Sequence, residues 1–468
     1  MVNIFDQWLV GNAGDLRLLS AIGIIVHWWI LQYTIGLLTM VFIVELVGRR
    51  KNDEQLLKMA KSMSKIVAVN FAIGAATGSM SEFGLVIFWP NLLRIVGKFF
   101  FVPLYLEIFA FLAEVVFVYM YHYTWDRVDP KLHLTIGFFA ALGSIISALM
   151  IVSVNALMNY PIGLHPTYNP YGNGAWTAPY FTLIDQNGNT VKYVPDGNNP
   201  VPPANLDQLL ESTVSYYGIW GLLFSWPAIV SFLHAVGAAI TVTSFTLLGI
   251  YAYRYLTPRN DEEKEYYMKG IRFQSLFALI IISIQGFIFG HMSGTDVAHY
   301  TPEKLAAMEG TTNQFFTFGK IIPTEPLIAF LSYGSFKAKI MNYDTIPEGF
   351  RPPIIIHYLY NIKIGTALLL GVDAVILVLY FYILKKQLPT WFIKLQVLTP
   401  FAANLVATFG WMVREIGRKP FTVYGLMTSE QAATTQPVSW ILIALVIIYV
   451  VSLGAITLIL DYKIGKRK

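Results

Sequence analysis

Apolar positions in this chain fall in long blocks separated by short polar interruptions. About nine blocks reach the roughly 20 residues that an α-helix needs to cross a bilayer. They cover 17–47, 64–89, 99–124, 132–158, 219–253, 270–291, 354–384, 391–413 and 438–461. The pattern predicts an all-α, polytopic transmembrane helix bundle forming one integral-membrane domain over 1–468. Two longer polar stretches interrupt it, 159–216 and 292–353. In the first, segments 180–185 and 190–194 flank Gln186-Asn187-Gly188-Asn189, which predicts a β-hairpin around an Asn-Gly turn. No internal repeat or low-complexity segment stands out.

Charge orients the blocks. Lys and Arg gather after the first (Arg49, Arg50, Lys51, Lys58, Lys61), the third (Arg127, Lys131), the fifth (Arg254, Arg259, Lys264, Lys269) and the seventh (Lys385, Lys386), and again at the tail. The positive-inside rule then places the N-terminus outside, the C-terminus inside and both long polar stretches outside. Hydrophobic residues make up 55% of the chain and charged residues 13%, beyond what a soluble domain of 468 residues needs. The start of the chain lacks the basic region and small-residue cleavage site of a signal peptide, so the first block is expected to stay as an anchor. A net charge of +5 could suggest nucleic acid, but the basic residues lie in short loops where they set topology. Membrane lipid is the expected partner, and nucleic acid is not.

Chemistry enters through residues that do not belong in hydrocarbon. The chain has no cysteine, which excludes iron–sulfur clusters, thiolate metal sites, disulfides and haem attached through Cys-x-x-Cys-His. Six histidines (His122, His133, His165, His291, His299, His357) lie in loops or near block ends and read as solvated. His27 and His234 lie well inside. Under the predicted topology both sit in the outer part of the membrane, as do Lys363 in the seventh block and Glu415 at the end of the eighth. Glu415 stands in Gly410-Trp411-Met412-Val413-Arg414-Glu415-Ile416-Gly417-Arg418-Lys419-Pro420-Phe421. An acid there is costly unless an ion, cofactor or proton offsets it. Four candidate axial ligands at similar depth on four helices could hold several haems in one layer; for each taken alone, a hydrogen-bonded packing residue is the plainer reading. The third block carries Glu107 and Glu114, seven residues apart on one helix face, with Asp126 near its inner end and Lys65 near that of the second block. Buried carboxylates so spaced suit a proton relay, or pair with a lysine or a neighbouring subunit.

Several stretches carry a family resemblance, which runs from about 18 to 421. The 410–421 stretch resembles the Gly-Arg-Gln-Pro-Trp block of subunit I of the cytochrome bd-type quinol oxidases, with its haem-ligating glutamate three residues before the arginine. His27 with Thr34 and Gly36, Asn70-Phe71-Ala72-Ile73-Gly74-Ala75-Ala76-Thr77-Gly78 with Glu82-Phe83, and Ala141-Leu142-Gly143-Ser144 with Ser147, Ala148, Leu149 and Asn155 resemble that family's first, second and fourth helices.

The resemblance implies a respiratory quinol:dioxygen oxidoreductase of the prokaryotic cell membrane, with three haems: a low-spin haem b, a high-spin haem b, and haem d or a second high-spin haem b. His27 and Glu415 would ligate the high-spin pair where dioxygen is reduced, and His234 the low-spin haem, with Trp411 and Arg418 as further cofactor-binding residues. Glu107, Glu114 and Lys65 would carry protons from inside. Gly290-His291-Met292-Ser293-Gly294, Lys304 and Glu309 resemble the quinol segment, so 292–353 becomes the outer quinol-binding loop. A second membrane subunit, either subunit II or a subunit-I-like chain, and small single-helix subunits are the implied partners.

Three departures matter. His291 replaces the family's aspartate, the two glutamates are one residue closer than in the family, and Asn361-Ile362-Lys363 stands where the family reads Arg-Ile-Met, with the methionine facing the low-spin haem. A neutral lysine amine can ligate iron, so Lys363 is the expected replacement; otherwise it reaches the interface and His357 or an open site takes its place. Two other readings stand beside the oxidase: a degenerate companion subunit, and a proton-coupled transporter lined by Glu107, Glu114 and Asp373.

Overall fold

The computed structural model describes residues 9–10, 13–198, 203–311, 325–435, 438–439, 444, 447–448 and 452. Among them, eight helices are long and apolar enough to cross a membrane. The helices are α1 (Ala13–Lys51), α2 (Glu54–Phe88), α3 (Pro90–Tyr123), α4 (Pro130–Asn159), α5 (Leu206–Leu223), α6 (Trp226–Leu256), α7 (Asp261–Tyr300), α8 (Pro302–Glu309), α9 (Glu325–Tyr333), α10 (Ile355–Val378), α11 (Thr390–Gln396) and α12 (Thr399–Ile416). The predicted ninth block, 438–461, lies mostly outside the described residues.

Helix starts follow local chemistry. Asp53, Asp129 and Asn260 accept hydrogen bonds from Leu56 N, Lys131 N and Glu263 N, capping α2, α4 and α7. These caps share one end of the bundle, where Lys269 pairs with Asp53 at 2.5 Å and Lys61 pairs with Asp126. That end holds the basic clusters.

Several blocks differ from their expected bounds. The second starts at Glu54, where Asp53 caps it, ten residues before the apolar run. The fifth breaks at Phe224-Ser225, because Pro227 has no N–H for the Leu223 carbonyl four residues back and would clash with it in a continuous helix, whereas it fits the first turn of a new one, so α5 closes the polar stretch and α6 opens the span. The sixth runs on to Tyr300 through a π-helical segment, Ile284–Gly290, because nothing from His291 to Tyr300 breaks a helix before Pro302. The second polar stretch therefore starts near Thr301, and His291 belongs to α7.

The predicted hairpin is present. Strand β1 (Leu164–His165) pairs antiparallel with β2 (Tyr180–Ile184), and β2 with β3 (Thr190–Tyr193). Phe181 and Leu183 of β2 are buried against Leu206, Leu209 and Leu210 of α5 and against Met427, so this lobe closes the end of the bundle that holds Glu415.

Helix α1 packs on α2 and α6, and α12 on α10 and α6. The α1–α6 approach is close: a Cβ at Gly36 would stand 2.0 Å from Thr243 Oγ1 and 2.7 Å from the Ala239 carbonyl. Outside, Phe109, Phe287, Leu369 and Phe401 are 70–81% exposed, as expected of a surface facing acyl chains or another membrane subunit.

Candidate functional site

Helices α1, α6, α10 and α12 each bring one predicted ligand to the site. His27 on α1 holds its Nδ1 3.0 Å from Thr77 Oγ1 of α2. Thr77 spends its own hydrogen on the Ile73 or Gly74 carbonyl, both at 3.1 Å, so it accepts from His27 Nδ1–H. That tautomer leaves the Nε2 lone pair open, the arrangement that orients metal-ligating histidines. Gly78 gives the ring its space, since a Cβ there would meet His27 Cε1 at 3.1 Å. His234 on α6 lies with its Nδ1 edge 3.3 Å from the Gln285 amide, in the π-helical segment of α7.

Glu415 is built into a polar knot. Its Oε1 accepts from Asn155 Nδ2 of α4 at 2.7 Å and its Oε2 from Arg418 Nη2 at 2.5 Å. Arg414 donates to Asn155 Oδ1 and, at 3.0 Å, to Ser231 Oγ of α6. Arg418 is 7% exposed, yet its Nε and Nη1 have no partner among the described residues. Trp411 stacks on Trp28 at 5.2 Å between centroids, and both indole N–H groups are buried without a partner among the described residues. Lys363 on α10 packs its Cδ and Cε over Gly410 of α12, with Nζ 5.7 Å from the Tyr360 ring centroid. Among the described residues, no acid pairs with it. His357, the alternative to Lys363, is engaged with the Met308 carbonyl at 2.8 Å.

The segment after α7 is not an amphipathic surface turn: Pro302 to Met308 of α8 are all buried. Lys304 Nζ donates to the Arg414 carbonyl at 3.2 Å, and its stem lies where a Cβ on Gly417 would fall. Lys304 thus touches the Glu415 knot instead of standing apart from it. Burial, then the Arg414 guanidinium, push its ammonium down to about 7, against the pull of Glu415. Burial pushes the Glu309 carboxyl up to about 7, opposed by a hydrogen bond from Tyr360, one turn from Lys363. Lys304 and Glu309 therefore lie over the α10–α12 seam. His291 is exposed on α7, and among the described residues no hydrogen bond joins it to either.

Glu107 and Glu114 both point toward α4. Ser147 donates to Glu107 at 3.2 Å, and Glu114, 4% exposed, packs beside Gly143 with Oε1 unpartnered among the described residues. Lys65 is exposed; the lysine that reaches Asp126 is Lys61, one helical turn away.

Two histidines read as solvated are not. His133 is 1% exposed and binds Glu45 at 2.8 Å and the Tyr121 carbonyl at 3.0 Å, and His357 is buried against α8. Sequence reading also passed over Asp296, whose Oδ1 accepts from Trp226 Nε1 at 3.0 Å. The helical continuity of 291–300 was the available signal for it.

These residues fit a haem. Among the described residues, no three His, Asp or Glu side chains converge as a cage for a bare metal ion. Single axial donors suit an iron whose equatorial ligands come with the macrocycle, and the unpaired N–H groups of Arg418 and Trp411 suit its carboxylates.

Comparison with known proteins agrees. The family model described as cytochrome bd terminal oxidase subunit I matches residues 16–468. A Bacillus subtilis (strain 168) chain with the provisional name cytochrome bd menaquinol oxidase subunit I is 24% identical over 450 residues, 92% of each chain. Cytochrome bd ubiquinol oxidase subunit 1 of the same strain is 25% identical over 469 residues, 93% of this chain and 89% of the relative. A chain of the bd oxidase from Geobacillus thermodenitrificans shares the fold, with a TM-score of 0.75 at 24% identity, covering 97% of this chain and 98% of that one. Eight apolar spans, a knot of buried charge at one end and a family match over nearly the whole length lead to one conclusion: the chain is a multi-pass protein of the prokaryotic cell membrane and belongs to the family of cytochrome bd terminal oxidase subunit I.

Proposed function

We propose that this chain is the haem-bearing subunit of a quinol oxidase, taking electrons from quinol at the Lys304–Glu309 segment and delivering them to dioxygen near His27 and Glu415. The observation that carries the reading is His27, whose Nδ1–H is committed to Thr77 while Nε2 keeps its lone pair open beside the cleared face of Gly78. His234 and Lys363 would hold the low-spin haem, and His27 and Glu415 the high-spin pair. When bound, the haems carry electrons singly and bind dioxygen, which the protein's own side chains cannot do.

The side chains handle position and protons. Each quinol that is oxidised releases two protons with its two electrons, and Glu309, held near neutrality by burial, is suited to accept one of them. Lys304 fixes α8 on the Arg414 carbonyl, so the donor segment and the Glu415 knot keep a set separation. Arg418 and Asn155 hold the Glu415 carboxylate in one orientation. Glu114 and Glu107, on α3, supply protons toward the site where dioxygen is reduced. A second membrane subunit would cover part of the exposed apolar face.

His234→Ala tests the assignment. The low-spin haem signal should vanish and quinol-driven oxygen consumption should stop while the high-spin signals persist; an unchanged low-spin spectrum would overturn it.

A further inference from the structure

Polar groups fill one face of the eighth span well beyond what the haem and quinol sites use. Gln396, Asn404 and Thr408 recur at multiples of four residues, the spacing that stacks side chains on one helix face, and the same line leads to Glu415. We infer that this face is a proton-conducting track inside the subunit, running from Asp373 on α10 to the Glu415 end and separate from the α3–α4 carboxylates. The inference rests on the oxidase reading, since a terminal oxidase must bring protons to buried haems.

The contacts form two linked groups. At the end away from Glu415, Gln396 Nε2 donates to Asp373 Oδ1 at 2.7 Å. Midway, Gln32 Nε2 of α1 donates to Asn404 Oδ1 at 2.8 Å, and Asn404 Nδ2 donates to the Tyr33 hydroxyl at 2.5 Å. One turn further, Thr408 Oγ1 accepts from Trp29 Nε1 at 2.8 Å. Gln396 and Gln32 are both 0% exposed. Their Oε1 atoms, like Asp373 Oδ2, have no hydrogen-bond partner among the described residues.

Buried oxygens of this kind are ordinarily satisfied by water, and hydrogen-bonded water between polar side chains conducts protons. Between the two groups, Pro400 has no N–H to give the Gln396 carbonyl. That carbonyl accepts from Thr399 Oγ1 at 2.8 Å, which leaves its second lone pair for water. From Gln396 to Glu415 is 19 residues, about 28 Å of helix and nearly the roughly 30 Å of a bilayer core. Asp373 is the one ionisable side chain among the contacts just described besides the Tyr33 phenol, which makes it the natural loading point.

Interhelical polar contacts also serve as glue, so the test must separate conduction from packing. Asp373→Asn keeps the shape and the hydrogen bond to Gln396 but cannot carry a proton. In the purified holoenzyme, with a decyl-chain benzoquinol as donor, Asp373→Asn should keep full haem content, slow oxygen consumption at least fivefold and raise the solvent deuterium isotope effect. Asp373→Glu should restore the rate, and Asn404→Leu should reproduce the slow phenotype. Native turnover with an unchanged isotope effect in Asp373→Asn would overturn the track, as would loss of haem in Asp373→Asn that Asp373→Glu repairs, which marks a packing role. Failure of the unmodified holoenzyme to oxidise the quinol would instead remove the oxidase reading itself.

Discussion

Lysine at position 363 brings an amine into the bundle where an apolar thioether would cost nothing to bury. Its stem lies over Gly410, and its nitrogen has no acid partner among the described residues. Coordination to iron would resolve the cost of an unpaired buried ammonium by binding the neutral amine. Lys363→Met should then keep a six-coordinate low-spin haem with a higher reduction potential, since a thioether favours the ferrous state, whereas Lys363→Ala should give a high-spin, ligand-accessible iron. A low-spin spectrum unchanged in Lys363→Ala contradicts the assignment.

Glu309 allows a pH prediction of definite sign. Its carboxyl, raised to about 7 by burial, is mostly protonated at pH 6 and mostly ionised at pH 8. As a proton acceptor it works only when ionised, so quinol oxidation should rise about tenfold over that window. Glu309→Gln should flatten the rise, and a native-shaped pH profile in that variant would remove Glu309 from the role. His27, His234 and Lys363 stood out in the sequence because each is polar where apolar residues surround it, and Glu415 because it ends an apolar run among basic residues. Asn155 entered only within the fourth-helix resemblance, and Ser231 and Trp28 were not visible as site residues: their contribution is made by contact across helices, and nothing in their own sequence neighbourhood marks it.

At the scale of elements, the α1–α6 approach depends on a missing side chain. A Cβ at Gly36 would overlap Thr243 Oγ1, so Gly36→Ala should cost about 1–3 kcal/mol as an overpacked contact. The midpoint of thermal haem loss should fall, and Gly36→Ala combined with Thr243→Ala should recover part of it; an unshifted midpoint in the single variant would show that the helices separate freely. Most spans were legible because apolar blocks of this length have one stable form in lipid. The misplaced ends, at Phe224-Ser225 and Tyr300, depend on the proline that follows each and on helical continuity, which block hydropathy does not register. The burial of α8 was hidden for a related reason, since Lys304 and Glu309 look like surface residues until the fold lays them on α10 and α12.

For the whole molecule, the bundle separates two kinds of chemistry along its length. One end holds the basic loops and the Glu45–His133–Tyr121 network, in which Tyr121 OH donates to Glu45 at 2.5 Å. The other holds the proposed quinol segment, the β-lobe and the Glu415 knot, with His27, His234 and Lys363 beneath. The central claim is that this layer holds haems that accept electrons from quinol. A dithionite-reduced minus air-oxidised visible spectrum of the purified complex tests it most directly. The account predicts bands from both low-spin and high-spin haem, with the low-spin band reduced by added quinol; a spectrum without haem bands in the intact complex would contradict it.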